Sequence, residues 1–151
     1  MPRTYIKYKS ENGFWISEEY LQLTYYYIYL ELGKPQYTLP NKAKLLEFIK
    51  FQIDGFAVDM MSLGWNSYFV DNPEIQMMID MLERVKADLL SRGSHITVQE
   101  LQSIISDDDF FKNFISERPF PVSEQIKIID ALIQLLKGTW EYTNYSMEVD
   151  Y

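Results

Sequence analysis

The stretch SEEYLQLTYYYIYLELG, residues 17–33, predicts a long helix at the centre of this protein. Ser17 is a favourable N-cap, and the two glutamates after it suit the positive end of a helix. Gly33 and Pro35 then end the helix, because glycine is favoured just past a helix end and proline blocks further turns. Apolar side chains lie on two faces of the stretch, which is typical of a largely buried helix. We therefore expect the other helices to surround it.

Five further segments carry helix signals. Asn41 precedes one of them, and Asn72 caps another, whose first helical residue is a proline. Thr97 and Glu100 have the spacing of a capping box, and Ser123 is positioned to cap the last helix. The first of these segments begins after Asn41 and continues through Ile53, with Gly55 and Gly64 as interruptions farther on, and the others cover residues 73–92, 98–105, 110–115 and 124–137.

The two ends of the chain carry weaker strand signals. Residues 3–9 alternate polar and apolar side chains before a Ser-Glu-Asn-Gly turn, which is typical of a short edge strand. The tail from residue 139 onward is expected to pair with that strand or to stay extended. The predicted fold is therefore mainly α: residues 1–151 form a single-domain helical bundle of five or more helices, with at most a short two-stranded ribbon formed by the termini.

Residues with catalytic or metal-binding chemistry are few. The chain has no cysteine and one histidine, His95, so the sequence offers no disulfide, no thiolate metal site and no pair of imidazole ligands. His95 follows Gly93, and we interpret it as a solvated loop residue rather than as a catalytic base. No nucleophile elbow, phosphate loop or dinucleotide fingerprint occurs. We therefore expect no enzymatic activity, no cofactor and no bound metal.

Targeting signals and charge narrow the class of partner. The sequence has no secretory signal and no apolar run of the ~20 residues that a membrane helix needs, so we expect a soluble, cytoplasmic protein. The formal net charge is −8, and residues 51–83 contain six acids and no base. Phosphate backbones are bound by clustered Lys and Arg, so direct binding of nucleic acid is not expected. A basic protein partner is favoured instead.

Two clusters predict an acidic and aromatic binding surface. Residues 51–83 combine six acids with aromatic residues and five of the seven methionines, which serve either in a core or at an adaptable interface. The run of three aspartates at 107–109 can cap a helix or accept Lys and Arg from a partner. The predicted partner-binding residues are Asp59, Trp65, Tyr68, Asp71, Glu74, Asp107, Asp108 and Asp109.

The segment GFWISEE, residues 13–19, leads into the tyrosine-rich helix through Leu21 and Ile28. In this region the chain resembles small acidic immunity proteins of bacterial contact-dependent growth inhibition systems. The resemblance covers mainly the first third of the chain, together with its size, acidity and helical content. It implies a toxin/immunity function, in which the protein binds a cognate toxin domain, often a nuclease, and occludes its active site or substrate groove. It transfers no set of site residues. The alternative is a small-ligand-binding or regulatory helical domain, whose Tyr and Met residues line an internal pocket.

Overall fold

The computed structural model describes residues 2–58, 60–68 and 72–151, with Tyr68 described for its backbone alone. Seven helices and five short strands occur in these residues. The helices are α1 Glu18–Leu32, α2 Lys42–Ile53, α3 Trp65–Tyr68, α4 Asn72–Leu90, α5 Val98–Gln102, α6 Asp109–Ile115 and α7 Val122–Lys137. The strands are β1 Arg3–Lys7, β2 Gly13–Ser17, β3 His95–Ile96, β4 Phe120–Pro121 and β5 Tyr145–Ser146. The prediction of five or more helices is confirmed.

The tyrosine-rich helix α1 lies at the centre, as its two apolar faces predict. It packs against α2, α4, α6 and α7, and Leu21 and Leu32 are fully buried in these contacts. Ser17 occupies the N-cap position but makes no side-chain capping bond. The amide of Glu18 donates instead to the carbonyl oxygen of Pro2 at 2.9 Å. The start of α1 is thus tied to the segment that enters β1.

The prediction of a helical bundle with at most a two-stranded ribbon of the termini is wrong, because the fold also contains a three-stranded mixed sheet and a small two-stranded sheet. β1 and β2 form an antiparallel hairpin, and β5 pairs in parallel with β2, which gives the order β1-β2-β5. Gly13 permits the hairpin, since a Cβ there would lie 2.1 Å from the carbonyl oxygen of Ile6. The indole of Trp140 donates to the carbonyl oxygen of Gly13 at 3.0 Å. The tail therefore pairs with β2 and not with the N-terminal strand β1, although the amide of Asn144 donates to the hydroxyl of Tyr5 at 3.3 Å.

Predicted capping residues lie at the starts of three helices, although Asn72 is the first helical residue of α4 and not the cap before it. Thr97 Oγ1 accepts a hydrogen bond from the amide of Glu100 at 3.1 Å, at the start of α5. Asp108 Oδ1 accepts one from the amide of Phe111 at 3.1 Å, at the start of α6. These bonds satisfy first-turn amides that have no partner within the helix.

Strand β2 and three shorter elements, α3, β3 and β4, were not predicted. β3 pairs antiparallel with β4, and the amide of Val122 donates to the carbonyl oxygen of Ser94 at 2.9 Å. Because this bond holds the chain just before the last helix, α7 begins at Val122 and not after the predicted cap, Ser123. Elements of two to four residues are too short to show a periodicity in the sequence.

Every helix contributes side chains to one hydrophobic cluster. Thr24 of α1 and Gln125 of α7 are buried polar residues, and they hydrogen-bond each other. Within the described ranges, no helix is both long enough and apolar enough to cross a membrane. The site described next lies where the first turn of α1 meets this cluster's edge.

Candidate functional site

A small cavity lies where the first turn of α1, the segment after α2 and the start of α6 meet. Its volume is about 140 Å³. Three acids and two glutamines form its polar lining, and no basic side chain among the described residues lines it. The lining residues are Pro2, Glu18, Glu19, Gln22, Gln52, Gly55, Ala57, Val58, Met61, Asp108 and Phe110. We call this feature the acidic cavity.

Glu19 is a buried carboxylate in the acidic cavity. It is 3% exposed, and its Oε2 atom has no hydrogen-bond partner. Burial raises the pKa of Glu19 above its usual value, and the negative charges of Glu18 and Asp108 also act to raise it. Ionisation of Glu19 is therefore less favourable than that of a solvated glutamate.

Asp108 is held by hydrogen bonds from two directions. In addition to its capping bond from Phe111, its Oδ2 atom accepts a bond from Nε2 of Gln22 at 3.0 Å. The same Nε2 atom donates to the carbonyl oxygen of Ile53 at 3.1 Å. A glutamine amide has two hydrogens to donate, so these contacts engage both. Gln22 therefore has no donor left for Glu19.

The segment that follows α2 is fixed against the rest of the fold. Gly55 has φ 84°, and a Cβ at this position would lie 2.5 Å from Oδ2 of Asp108, so only glycine permits the close approach. The hydroxyl of Thr4 donates to the carbonyl oxygen of Met61 at 3.1 Å. The hydroxyl of Tyr25 donates to the backbone carbonyl oxygen of Ser62 at 2.6 Å. Contacts with β1 and α1 thus preorganise the wall of the acidic cavity.

Exposed apolar side chains lie in the wall of the acidic cavity and on the segment that follows α2. Val58 and Phe110 line it and are nevertheless 56% and 61% exposed. Phe56 and Met60 are also exposed, on the same segment as Val58. We call Phe56, Val58, Met60 and Phe110 the apolar rim. Clusters of exposed apolar side chains are typical of protein interaction sites.

The run of three aspartates is the part of the predicted binding surface that lies at the acidic cavity. Asp108 lines the cavity, and Asp107 and Asp109 beside it are exposed. The amide of Asp107 donates to Oδ1 of Asp54 at 3.0 Å, which ties the run to the end of α2. Two of the three carboxylates are therefore available at the surface, and the third belongs to the cavity wall.

Of the other five predicted residues, the two whose side chains the structure describes, Trp65 and Glu74, do not line the acidic cavity. Trp65 and Glu74 are buried. Asp59, Asp71 and the side chain of Tyr68 lie outside the described residues. The burial of Trp65 means that its indole belongs to the core in the free protein. Contact of any of the eight predicted residues with a partner stays a prediction.

The sequence did not single out Glu18, Glu19 or Phe110 as site residues. Adjacent acids after an N-cap are usually solvated in the first turn of a helix, so their burial has no local signal. Phe110 has the spacing of a core residue in a short helix, yet the structure exposes it. The available signal was the presence of two anionic segments, residues 18–19 and 107–109, but no local pattern shows that they meet.

The acidic cavity offers carboxylate acceptors and apolar walls. In the part of the chain that the structure describes, no group of three or more acidic or histidine side chains has the geometry to hold a metal ion. His95, predicted as a loop residue, is exposed in β3. Comparison with models of known families, with curated proteins and with solved structures found no match. A functional proposal therefore starts from the geometry and charge of the site.

Proposed function

We propose that this chain is an immunity protein that binds a cognate toxin domain and neutralises it by occluding the toxin's active site or substrate groove. The observation that carries the proposal is the acidic cavity with its apolar rim, on a chain of net charge −8. Tight protein interfaces combine a desolvated centre with surrounding contacts that exclude water. Acids at such a centre favour a basic partner.

A nuclease toxin is the partner class that suits this surface best. A nuclease holds phosphates with clustered Lys and Arg, so its substrate groove is a basic surface. Asp107 and Asp109 are exposed beside the acidic cavity and add negative charge around it. An acidic protein that occupies the groove excludes nucleic acid without a chemical step, and long-range attraction speeds its association. Neutralisation then depends on binding alone.

A small-ligand-binding helical domain is the alternative function. Pockets for drug-sized ligands usually have volumes of about 300–1,000 Å³. The acidic cavity is smaller, at about 140 Å³, and exposed apolar side chains form part of its wall. This volume favours contact with a single side chain of a protein over enclosure of a separate ligand.

Co-expression with the toxin tests the proposal. The toxin domain encoded directly upstream of this chain in its native operon is expressed in a sensitive host, alone and together with this chain. We expect the chain to restore growth, to co-elute with the purified toxin domain and to inhibit its nuclease activity at an equimolar ratio. Association should slow as salt is raised from low to physiological strength. Undiminished toxin activity in a molar excess of this chain would refute the proposal.

A further inference from the structure

The carboxylate of Glu19 is the group in the acidic cavity whose bonding the fold leaves incomplete. Its Oε2 atom is buried and has no hydrogen-bond partner, whereas Asp108 accepts bonds on both of its oxygens. A buried polar atom without a partner destabilises a folded protein. Exceptions of this kind are expected at functional sites, where a ligand can supply the missing partner.

The charges around Glu19 determine whether a positive or a negative ligand is favoured. Glu18 and Asp108 line the same cavity, and none of its described lining residues is basic. An anion would meet three carboxylates at short range, whereas a cation is attracted by all of them. The amide of Gln22 is already engaged by Asp108 and by a carbonyl oxygen of α2. None of the described lining side chains therefore supplies the missing donor, and the three carboxylates favour a donor that carries positive charge.

The walls of the acidic cavity favour a cation on an apolar stem. Ala57, Val58, Met61 and Phe110 line it beside the acids, and Val58 and Phe110 are its most exposed parts. Lys and Arg side chains carry a charged head on an aliphatic stem, which matches buried carboxylates approached past apolar side chains. The ring of Phe110 can also attract a cation over its face. A hydrated metal ion would gain nothing from these walls.

We infer that the acidic cavity receives the cationic head of one Lys or Arg side chain of a protein partner, with Oε2 of Glu19 as its hydrogen-bond acceptor. The inference rests on the proposed function for the identity of the partner and adds which kind of side chain the site recognises. The inserted side chain forms the desolvated centre of the interface, and the apolar rim surrounds it. Removing the charge of Glu19 leaves the partner's cation buried without its acceptor, which should weaken binding roughly 30-fold or more.

Side-chain analogues test the acidic cavity without a toxin. The isotope-labelled full chain is titrated at constant ionic strength with n-propylguanidinium and n-butylammonium, and with n-butanol as the neutral control, while amide chemical shifts are recorded by NMR. We expect both cations to give saturable shift changes at amides around the cavity, such as those of Gln22, Gly55 and Phe111. The neutral analogue should give no saturable change there.

Two charge-matched variants identify the acceptor. Glu19→Gln and Glu83→Gln each remove one negative charge, but Glu83 is exposed on α4 and does not line the acidic cavity. We expect Glu19→Gln to lose the saturable shift changes and Glu83→Gln to keep them. No saturable change with either cation, or equal changes in the two variants, would overturn the inference.

Binding of the toxin domain separates this inference from the proposed function. Measured by calorimetry, the wild-type chain and Glu83→Gln should bind the toxin domain alike, and Glu19→Gln should bind it roughly 30-fold or more weakly. Equal binding by all three would leave the immunity function in place and refute the role of Glu19. Saturable binding of the cation analogues to a chain that does not bind the toxin domain would support the cation specificity of the cavity and refute the proposed function.

Discussion

Replacing Glu19 with glutamine should stabilise the free protein at neutral pH. Its Oε2 atom is buried without a partner, and such a group costs about 1–3 kcal/mol. A glutamine has nearly the same shape, and its amide can donate to the carboxylates of Glu18 and Asp108. Losing one negative charge from the first turn of α1 offsets about 0.3–1 kcal/mol of this gain. We therefore expect a net gain of about 1–2 kcal/mol, or roughly 2–8 °C in Tm for a chain of this size.

The stability gain of Glu19→Gln should depend on pH. Burial, the largest cause, raises the pKa of Glu19 above its usual 4.5, so the folded protein retains a proton that the unfolded chain releases. Below the unfolded-state pKa, both states are protonated and the carboxyl group carries no ionisation cost. The cost develops as pH rises through the folded-state pKa, and the wild-type protein loses stability over that window. The gain is therefore expected to be small at about pH 4 and largest at about pH 8.

Urea unfolding followed by circular dichroism at these two pH values measures both effects. Glu83→Gln removes the same charge from an exposed position, and it should change the free energy of unfolding by less than about 0.5 kcal/mol at either pH. A Glu19→Gln variant that is less stable than the wild type at about pH 8, or a gain that does not change with pH, would refute the description of Glu19 as an unsatisfied buried carboxylate.

The remaining predictions concern substitutions at three positions, and urea unfolding measures the effect of each on stability. Phe111→Ala empties a fully buried position of α6 and should cost about 3–5 kcal/mol, and a cost under about 1 kcal/mol would contradict its place in the core. Gly55→Ala should cost about 1–3 kcal/mol and more than Gly93→Ala, because both have positive φ but only Gly55 adjoins Asp108. Burial opposes the ionisation of Glu31, but hydrogen bonds from a tyrosine and a lysine outweigh it and lower its pKa. Glu31→Gln should therefore cost about 1.5–3 kcal/mol of unfolding free energy at neutral pH. This cost should disappear as pH falls from 4.5 through the folded-state pKa of Glu31. An equal cost at neutral pH and below that pKa would show that the charge of the carboxylate is not involved.

The long helices were predictable from the sequence because their signals are local. The N-cap position of Ser17, the Asn72 start of α4 and the bond between Thr97 and Glu100 each involve residues a few positions apart. A capping residue and a helical repeat act within one or two turns, so they can be recognised without the rest of the chain. The net charge of −8 and the absence of cysteine are likewise properties of the sequence itself.

The sheet and the acidic cavity were decided by tertiary contacts. β5 pairs with β2, which lies near the opposite end of the chain. The sequence of a two-residue strand is too short to specify which strand it pairs with. Glu18 and Glu19 have the sequence of a solvated first turn, and contact with the segment after α2 and with α6 is what buries them beside Asp108.

Burial of individual aromatic side chains was also decided by the tertiary structure. Trp65, predicted as a partner-binding residue, is buried, and Phe110, which lies in a segment predicted to be helical, is exposed. Hydrophobicity states how strongly a side chain favours burial, but the elements that pack over it determine whether it is covered. The periodicity of a helix identifies its apolar face, whereas the surface left for a partner depends on which of those faces the rest of the chain does not cover.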